Sequence, residues 1–146
     1  MSLENLLKIG QLERHETDAV QVGRLLDSSV RCLADARQDS ITVETRLEAG
    51  YRAIMQLSML ALWANGYRPT TAAGHHRTMI QSLVHSVGLD PDQMWVLDTF
   101  RVKRNAINYT GEDMDIASVE ACIAAGEALM QHIRGWLVEN HPELAQ

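Results

Sequence analysis

The sequence predicts an all-α fold, a single bundle of about five to six helices that are mostly antiparallel. Three observations carry that prediction. Ala and Leu are abundant, whereas aromatic residues make up 5% of the 146-residue chain, a balance that favours helix. Apolar residues recur at steps of three and four over long stretches, the period of a helix with one buried face. Strand-like alternation is scarce and no strand is evident.

Each element follows from that period and its end signals. Leu3, Leu6 and Leu7 mark a short first helix that ends near Gly10. A second helix runs from about Glu16 to Arg37, with Ala19, Val22, Leu26, Val30 and Leu33 as its buried stripe. Asp39 and Ser40 interrupt the pattern, and Thr42 is placed to cap a third helix from about Val43 to Ala64. The broad apolar face of that helix, including Ala53, Ile54, Leu57, Leu60 and Ala61, makes it central to the core, and Asn65-Gly66 closes it. A fourth helix is expected over roughly Ala72 to Val87, ending at Gly88. Asp90-Pro91-Asp92-Gln93 then supplies an Asp N-cap, a Pro at the first helical position and a Gln where a capping box places it. That fifth helix should reach about Asn108 before Gly111 breaks it. Asp113 or Asp115 caps a sixth, running to about Glu139, with Pro142 beyond its end. Its positions Ile116, Val119, Ile123, Gly126, Met130, Ile133 and Leu137 form a seam able to pack against a neighbouring helix or another subunit.

Length and composition bound the function. The chain, residues 1–146, reads as one domain able to bury a core without disulfide or metal staples. Stretches such as Met59 to Ala64 fall short of the roughly 20 apolar residues that span a bilayer, so no membrane partner is expected. No basic stretch leading into an apolar one opens the sequence, and two Cys make no disulfide framework, so a cytoplasmic setting is expected. The formal charge of −6 excludes broad coating of DNA or anionic membrane. It leaves room for one small basic patch. Eleven of the 13 basic residues are Arg, the better residue for two-point phosphate contacts and equally suited to ion pairs on helices.

Conventional catalytic signatures are missing. There is no Gly-x-Ser-x-Gly elbow and no phosphate-cradling Gly-rich loop after a strand. Cys32 and Cys122 fall among apolar helical neighbours and read as small core residues. His75-His76 invites a metal reading, but adjacent helical residues point about 100° apart and no His-x-x-x-His or Cys-x-x-Cys completes a site. No metal or cofactor is therefore expected. The pair either lines the start of the fourth helix or contacts substrate in a pocket, where an imidazole can act as acid or base.

The most informative segment is Arg101-Val102-Lys103-Arg104-Asn105-Ala106-Ile107-Asn108-Tyr109, three cations in an acidic chain. On a helix, Arg101 lies beside Asn105 and Arg104 beside Asn108. Guanidinium donors next to amides suit a phosphate or the edge of a nucleobase. The plainer reading is a set of cations near a helix C-terminus, stabilised by the dipole and by Asp98 three residues before Arg101.

Three segments carry a resemblance: Ala49-Gly50-Tyr51-Arg52-Ala53-Ile54, Gly74-His75-His76, and Arg104-Asn105 followed by Tyr109. In that order on an all-α bundle, the chain resembles the HEPN domains (higher eukaryotes and prokaryotes nucleotide-binding) over about residues 16–140. The resemblance implies a compact bundle that dimerises and works on RNA or a nucleotide. Many catalytic members are metal-independent ribonucleases that use Arg, often followed by a polar residue, then four to six residues and His, brought together across a dimer. Others pair with a minimal nucleotidyltransferase partner in toxin–antitoxin modules, or serve as non-catalytic binding modules. Here Arg104 and Asn105 match the first half of that motif, and Tyr109 stands where the His is expected. A phenol with a pKa of about 10 is a poor proton acceptor near neutrality, which weakens the ribonuclease reading unless His75 or His76 compensates.

The expectation is a homodimeric HEPN-like protein that binds RNA or a nucleotide in a stress or toxin–antitoxin setting. Arg104 and Tyr109 take the catalytic positions of the motif, and Arg101, Asn105, Asn108, His75 and His76 contact substrate. The alternatives are a metal-independent endoribonuclease using Arg104 at a dimer interface, and a non-catalytic partner-binding subunit in which Tyr109 is a packing residue or a modification target.

Overall fold

A computed structural model of the chain describes residues 2–145. The order of elements is α1 (Leu3–Lys8), β1 (Leu12–Arg14), α2 (Ala19–Ala36), α3 (Val43–Ala64), β2 (Tyr67–Pro69), α4 (His75–Gln81), α5 (Leu83–Ser86), α6 (Pro91–Thr110) and α7 (Ile116–Asn140). The fold is an all-α single-domain bundle. Among the described residues, no helix is long and apolar enough to cross a membrane.

The capping signals set the helix starts. The Thr42 hydroxyl accepts the Thr45 N–H at 3.2 Å, Asp90 accepts that of Asp92 at 2.8 Å, and Asp115 that of Ser118 at 2.9 Å. Between the two candidates for the last helix, Asp115 is thus the cap. Asp18 accepts the Gln21 N–H at 2.9 Å, so α2 begins at Ala19 rather than near Glu16.

α3 is the central element, buried along most of its length from Leu47 to Ala64. α2 packs on it in the opposite direction, with Arg46 Nε near the start of α3 donating to the Ala36 carbonyl at the end of α2 (2.8 Å). α7 lies against both. A Cβ on Gly50 would sit 3.1 Å from Cys122 Sγ, and one on Gly126 would sit 3.0 Å from Leu33 Cδ2 and 3.8 Å from Ile54 Cγ1. Ascending pairs 50–122 and 54–126 mean that α7 runs in the same direction as α3. The seam from Val119 to Leu137 is consumed inside this layer, since Val119, Ile123, Gly126, Met130, Ile133 and Leu137 are all buried. Both cysteines are buried too, and burial pushes the Cys122 thiol up to about 12.

Three details differ from the expectation. First, two short antiparallel strands exist, pairing Leu12 with Pro69 and Arg14 with Tyr67. Three residues are too few for alternation to be visible, and the pairing is made by distant contacts such as Arg68 Nε to Glu13 Oε1 at 2.6 Å. Second, the expected fourth helix starts late and is broken. The Thr70 hydroxyl ties the preceding turn to the Gly10 carbonyl (2.8 Å). At Ser82 the hydroxyl bonds back to the Met79 carbonyl (2.7 Å) and the His85 N–H turns tightly onto the Ser82 carbonyl (2.9 Å), splitting the segment into α4 and α5. Third, Val30 is 42% exposed, while Ser29, Cys32 and Ala36 are buried instead. Asn65 then fixes the end of α3 against α5, its amide donating to the carbonyls of Ala61 (2.8 Å) and Ser86 (2.9 Å).

Candidate functional site

α6 changes character along its length. Its first half buries Met94, Leu97, Asp98 and Phe100, whereas the following turns present Arg101, Arg104, Asn105 and Asn108, which continue the face that starts at Asp98. Steps of three and four bring these residues above one another. That face meets the N-terminal half of α3 and the first turn of α4.

Two guanidinium groups are each held by a carboxylate. Arg101 donates Nε to Asp98 Oδ1 at 2.8 Å and Nη2 to Oδ2 at 3.1 Å. Arg104 reaches across to α3, donating Nε to Glu48 Oε2 and Nη2 to Glu48 Oε1, both at 3.1 Å, and its Nη1 lies 3.4 Å from Asn105 Oδ1. Hydrogen bonds to these carboxylates raise both Arg pKa values further, so the two cations are permanent. The Arg104 guanidinium also stands 5.5 Å over the ring of Tyr51, a cation–π contact.

Tyr51 connects the arginines to the histidine pair. Its hydroxyl lies 3.0 Å from His76 Nδ1, and the rings of His75 and His76 meet edge to face at 4.7 Å. Burial pushes the Tyr51 phenol up to about 12. Burial lowers the His76 pKa, and His75, Arg104 and Arg101 lower it further by charge. At neutral pH the pair is therefore an intact phenol beside a neutral imidazole. If the phenol donates to Nδ1, Nε2 carries the proton and is a donor; if Nδ1 donates to the phenol oxygen, Nε2 is a free acceptor.

Arg104 and His76 thus meet at Tyr51, with Arg101 acting on the same phenol by charge, Asn105 beside Arg104 and His75 against His76. Asn108 lies beyond them on the rim of a groove between α3 and α6. Tyr109 stands apart, 86% exposed near the end of α6. The three cations of the segment do not share one face, since Lys103 Nζ turns to α7 and donates to Ser118 Oγ at 3.0 Å. Among the described residues, no three His, Cys, Asp or Glu side chains gather as a metal site. Glu48 and Tyr51 are the members that sequence reasoning missed. A signal for them exists: Tyr51 is the single aromatic in the first half of an apolar helix, and Glu48 precedes it by three residues.

Compared with protein-family models, with curated proteins and with solved structures, the chain matches none.

Proposed function

We propose that this chain is a HEPN-like RNA- or nucleotide-binding protein whose phosphate contact is the Arg101–Arg104–His76 patch. The observation that carries the reading is the meeting at Tyr51 of Arg104 from α6 and His76 from α4, with Arg101 three residues before Arg104 on the same helix. Each guanidinium has five N–H groups, and its carboxylate engages two of them. Donors remain for a phosphate, and a side chain already held in place loses less entropy on binding. Charge compensation by Asp98 and Glu48 keeps the patch focused and its affinity modest. Titration of short RNA and of nucleoside monophosphates into wild type and Arg104→Ala tests the reading. It expects measurable binding that falls at least about tenfold in the variant, the scale of one lost charged contact; equal binding by both proteins contradicts it.

A second reading, a metal-independent endoribonuclease, is favoured by the neutral state of His76. In it His76 takes the 2′-hydroxyl proton, the 2′ oxygen attacks phosphorus to form the 2′,3′-cyclic phosphate, the arginines stabilise the added charge, and the P–O5′ bond breaks with the 5′ oxygen taking a proton from water. It expects RNA cleavage in the presence of chelator that both Arg104→Ala and His76→Ala abolish.

The outward face of α6 supports a homodimer. Trp95 (51% exposed), Thr99, Val102 (55%), Ala106 and Tyr109 follow one another at steps of four and three, the spacing of a two-helix seam. Pairing two copies through this stripe puts the two arginine patches on neighbouring faces of one assembly. Light scattering on wild type and Val102→Glu checks it: a dimer mass is expected for the first and a monomer mass for the second.

A further inference from the structure

Beside the arginine patch runs a groove of about 340 Å³ between the first turns of α3 and the last turns of α6, within the roughly 300–1,000 Å³ range of small-ligand pockets. Its walls differ in chemistry. Ile107 gives an apolar surface over the buried Leu47, Glu44 and Glu48 line it from α3, Asn108 borders it from α6, and Arg104 stands at its boundary with the patch. Glu48 is committed to Arg104 by the two-point ion pair, which leaves Glu44 as the carboxylate open to a ligand. An acidic rim repels a phosphate and calls for a ligand edge rich in N–H donors, next to a flat apolar face.

We infer that this groove takes a guanine base, with the attached phosphate on the Arg104 side. The inference rests on the phosphate-binding reading above and names the base that accompanies the phosphate. A carboxylate has two oxygens, and guanine alone among the four RNA bases offers two adjacent donors, N1–H and N2–H, to match them. Adenine and cytosine present one amino group next to a ring acceptor. Uracil presents one N–H between two carbonyls that a carboxylate repels. The guanine ring lies against Ile107, and the Asn108 amide donates to O6, next to N1–H, or to N7 on the adjoining edge, an arrangement that follows ordinary side-chain recognition of base edges.

The test titrates wild type, Glu44→Gln and Arg104→Ala with the four nucleoside 5′-monophosphates and with uridine-rich RNAs carrying one varied central base. Glu44 lies in the first turn of α3 on the rim of the groove, and circular dichroism confirms that the variant remains folded. Wild type is expected to favour guanine by about tenfold, the lower end of what one two-point base contact discriminates. Preference among the free monophosphates marks a nucleotide ligand; preference only within the RNAs marks an RNA. Glu44→Gln is expected to erase the preference while keeping the binding common to all four bases. Four bases bound alike in wild type, with binding still lost in Arg104→Ala, overturn the guanine inference and leave the phosphate site standing. Absence of binding to every probe overturns both.

Discussion

Arg104 and Glu48, 56 residues apart in the chain, are joined by two N–H···O bonds of 3.1 Å from Nε and Nη2 to the two carboxylate oxygens. The pair is only partly buried, with the Arg side chain 28% and the Glu side chain 38% exposed. Ion pairs so exposed contribute about 1 kcal/mol or less. Arg104→Lys keeps the charge and loses the planar fork. Its unfolding free energy by urea titration should stay within about 1 kcal/mol of wild type, so binding differences in this variant report the site rather than the fold.

Tyr51 is 2% exposed and its hydroxyl has His76 as its partner. Tyr51→Phe keeps the packed ring and the contact with Arg104 and removes that one hydrogen bond. A net loss of about 1 kcal/mol is expected, read from the urea midpoint at unchanged slope. A neutral effect on both stability and binding would mean that the hydroxyl does not position His76.

The pH dependence follows from His76. Its folded pKa is depressed below the ordinary 6.5 by burial, with His75, Arg104 and Arg101 adding to the effect and Glu48 opposing it. Below 6.5 the unfolded chain therefore binds a proton that the folded chain does not. Stability from this group is complete above 6.5 and is lost as pH falls from 6.5 toward the lower folded value. On moving from pH 7.5 to 5.5, wild type should lose more Tm than His76→Gln, measured in parallel thermal scans. Equal losses would remove His76 as the source.

Two glycines of α7 should respond in opposite ways to the same change. A Cβ at Gly135 meets nothing within 4 Å, whereas one at Gly126 comes within 3.0 Å of Leu33 Cδ2. Gly135→Ala should stabilise by about 0.5–1 kcal/mol through helix propensity alone. At Gly126 the same gain is opposed by overpacking, which typically costs about 1–3 kcal/mol, and the variant should be no more stable than wild type.

Legibility in the sequence follows the range of the interactions. Thr42, Asp90 and Asp115 act within three residues of their partners, so the starts of α3, α6 and α7 can be read directly. The strands at Leu12 and Tyr67 depend on contacts made across the fold, and the break at Ser82 on polar bonds to Met79 and His85, three residues away on either side; an apolar period of three and four residues is blind to both. The site divides in the same way. Arg101 with Asp98 is a local pair, and its spacing of three residues on a helix is enough to reveal it. Glu48 and Tyr51 become partners of Arg104 and His76 only once α3, α4 and α6 meet. Tyr109 matches the motif position by count, yet near the end of α6 it points into solvent.

The most direct measurement of the central claim is the fluorescence anisotropy of labelled short RNA titrated with wild type, Arg104→Lys and Arg104→Ala at low salt. Wild type is expected to bind saturably and more weakly as salt rises, with both variants weaker by at least about tenfold because neither restores the planar fork. Binding of the same strength by all three proteins would contradict it.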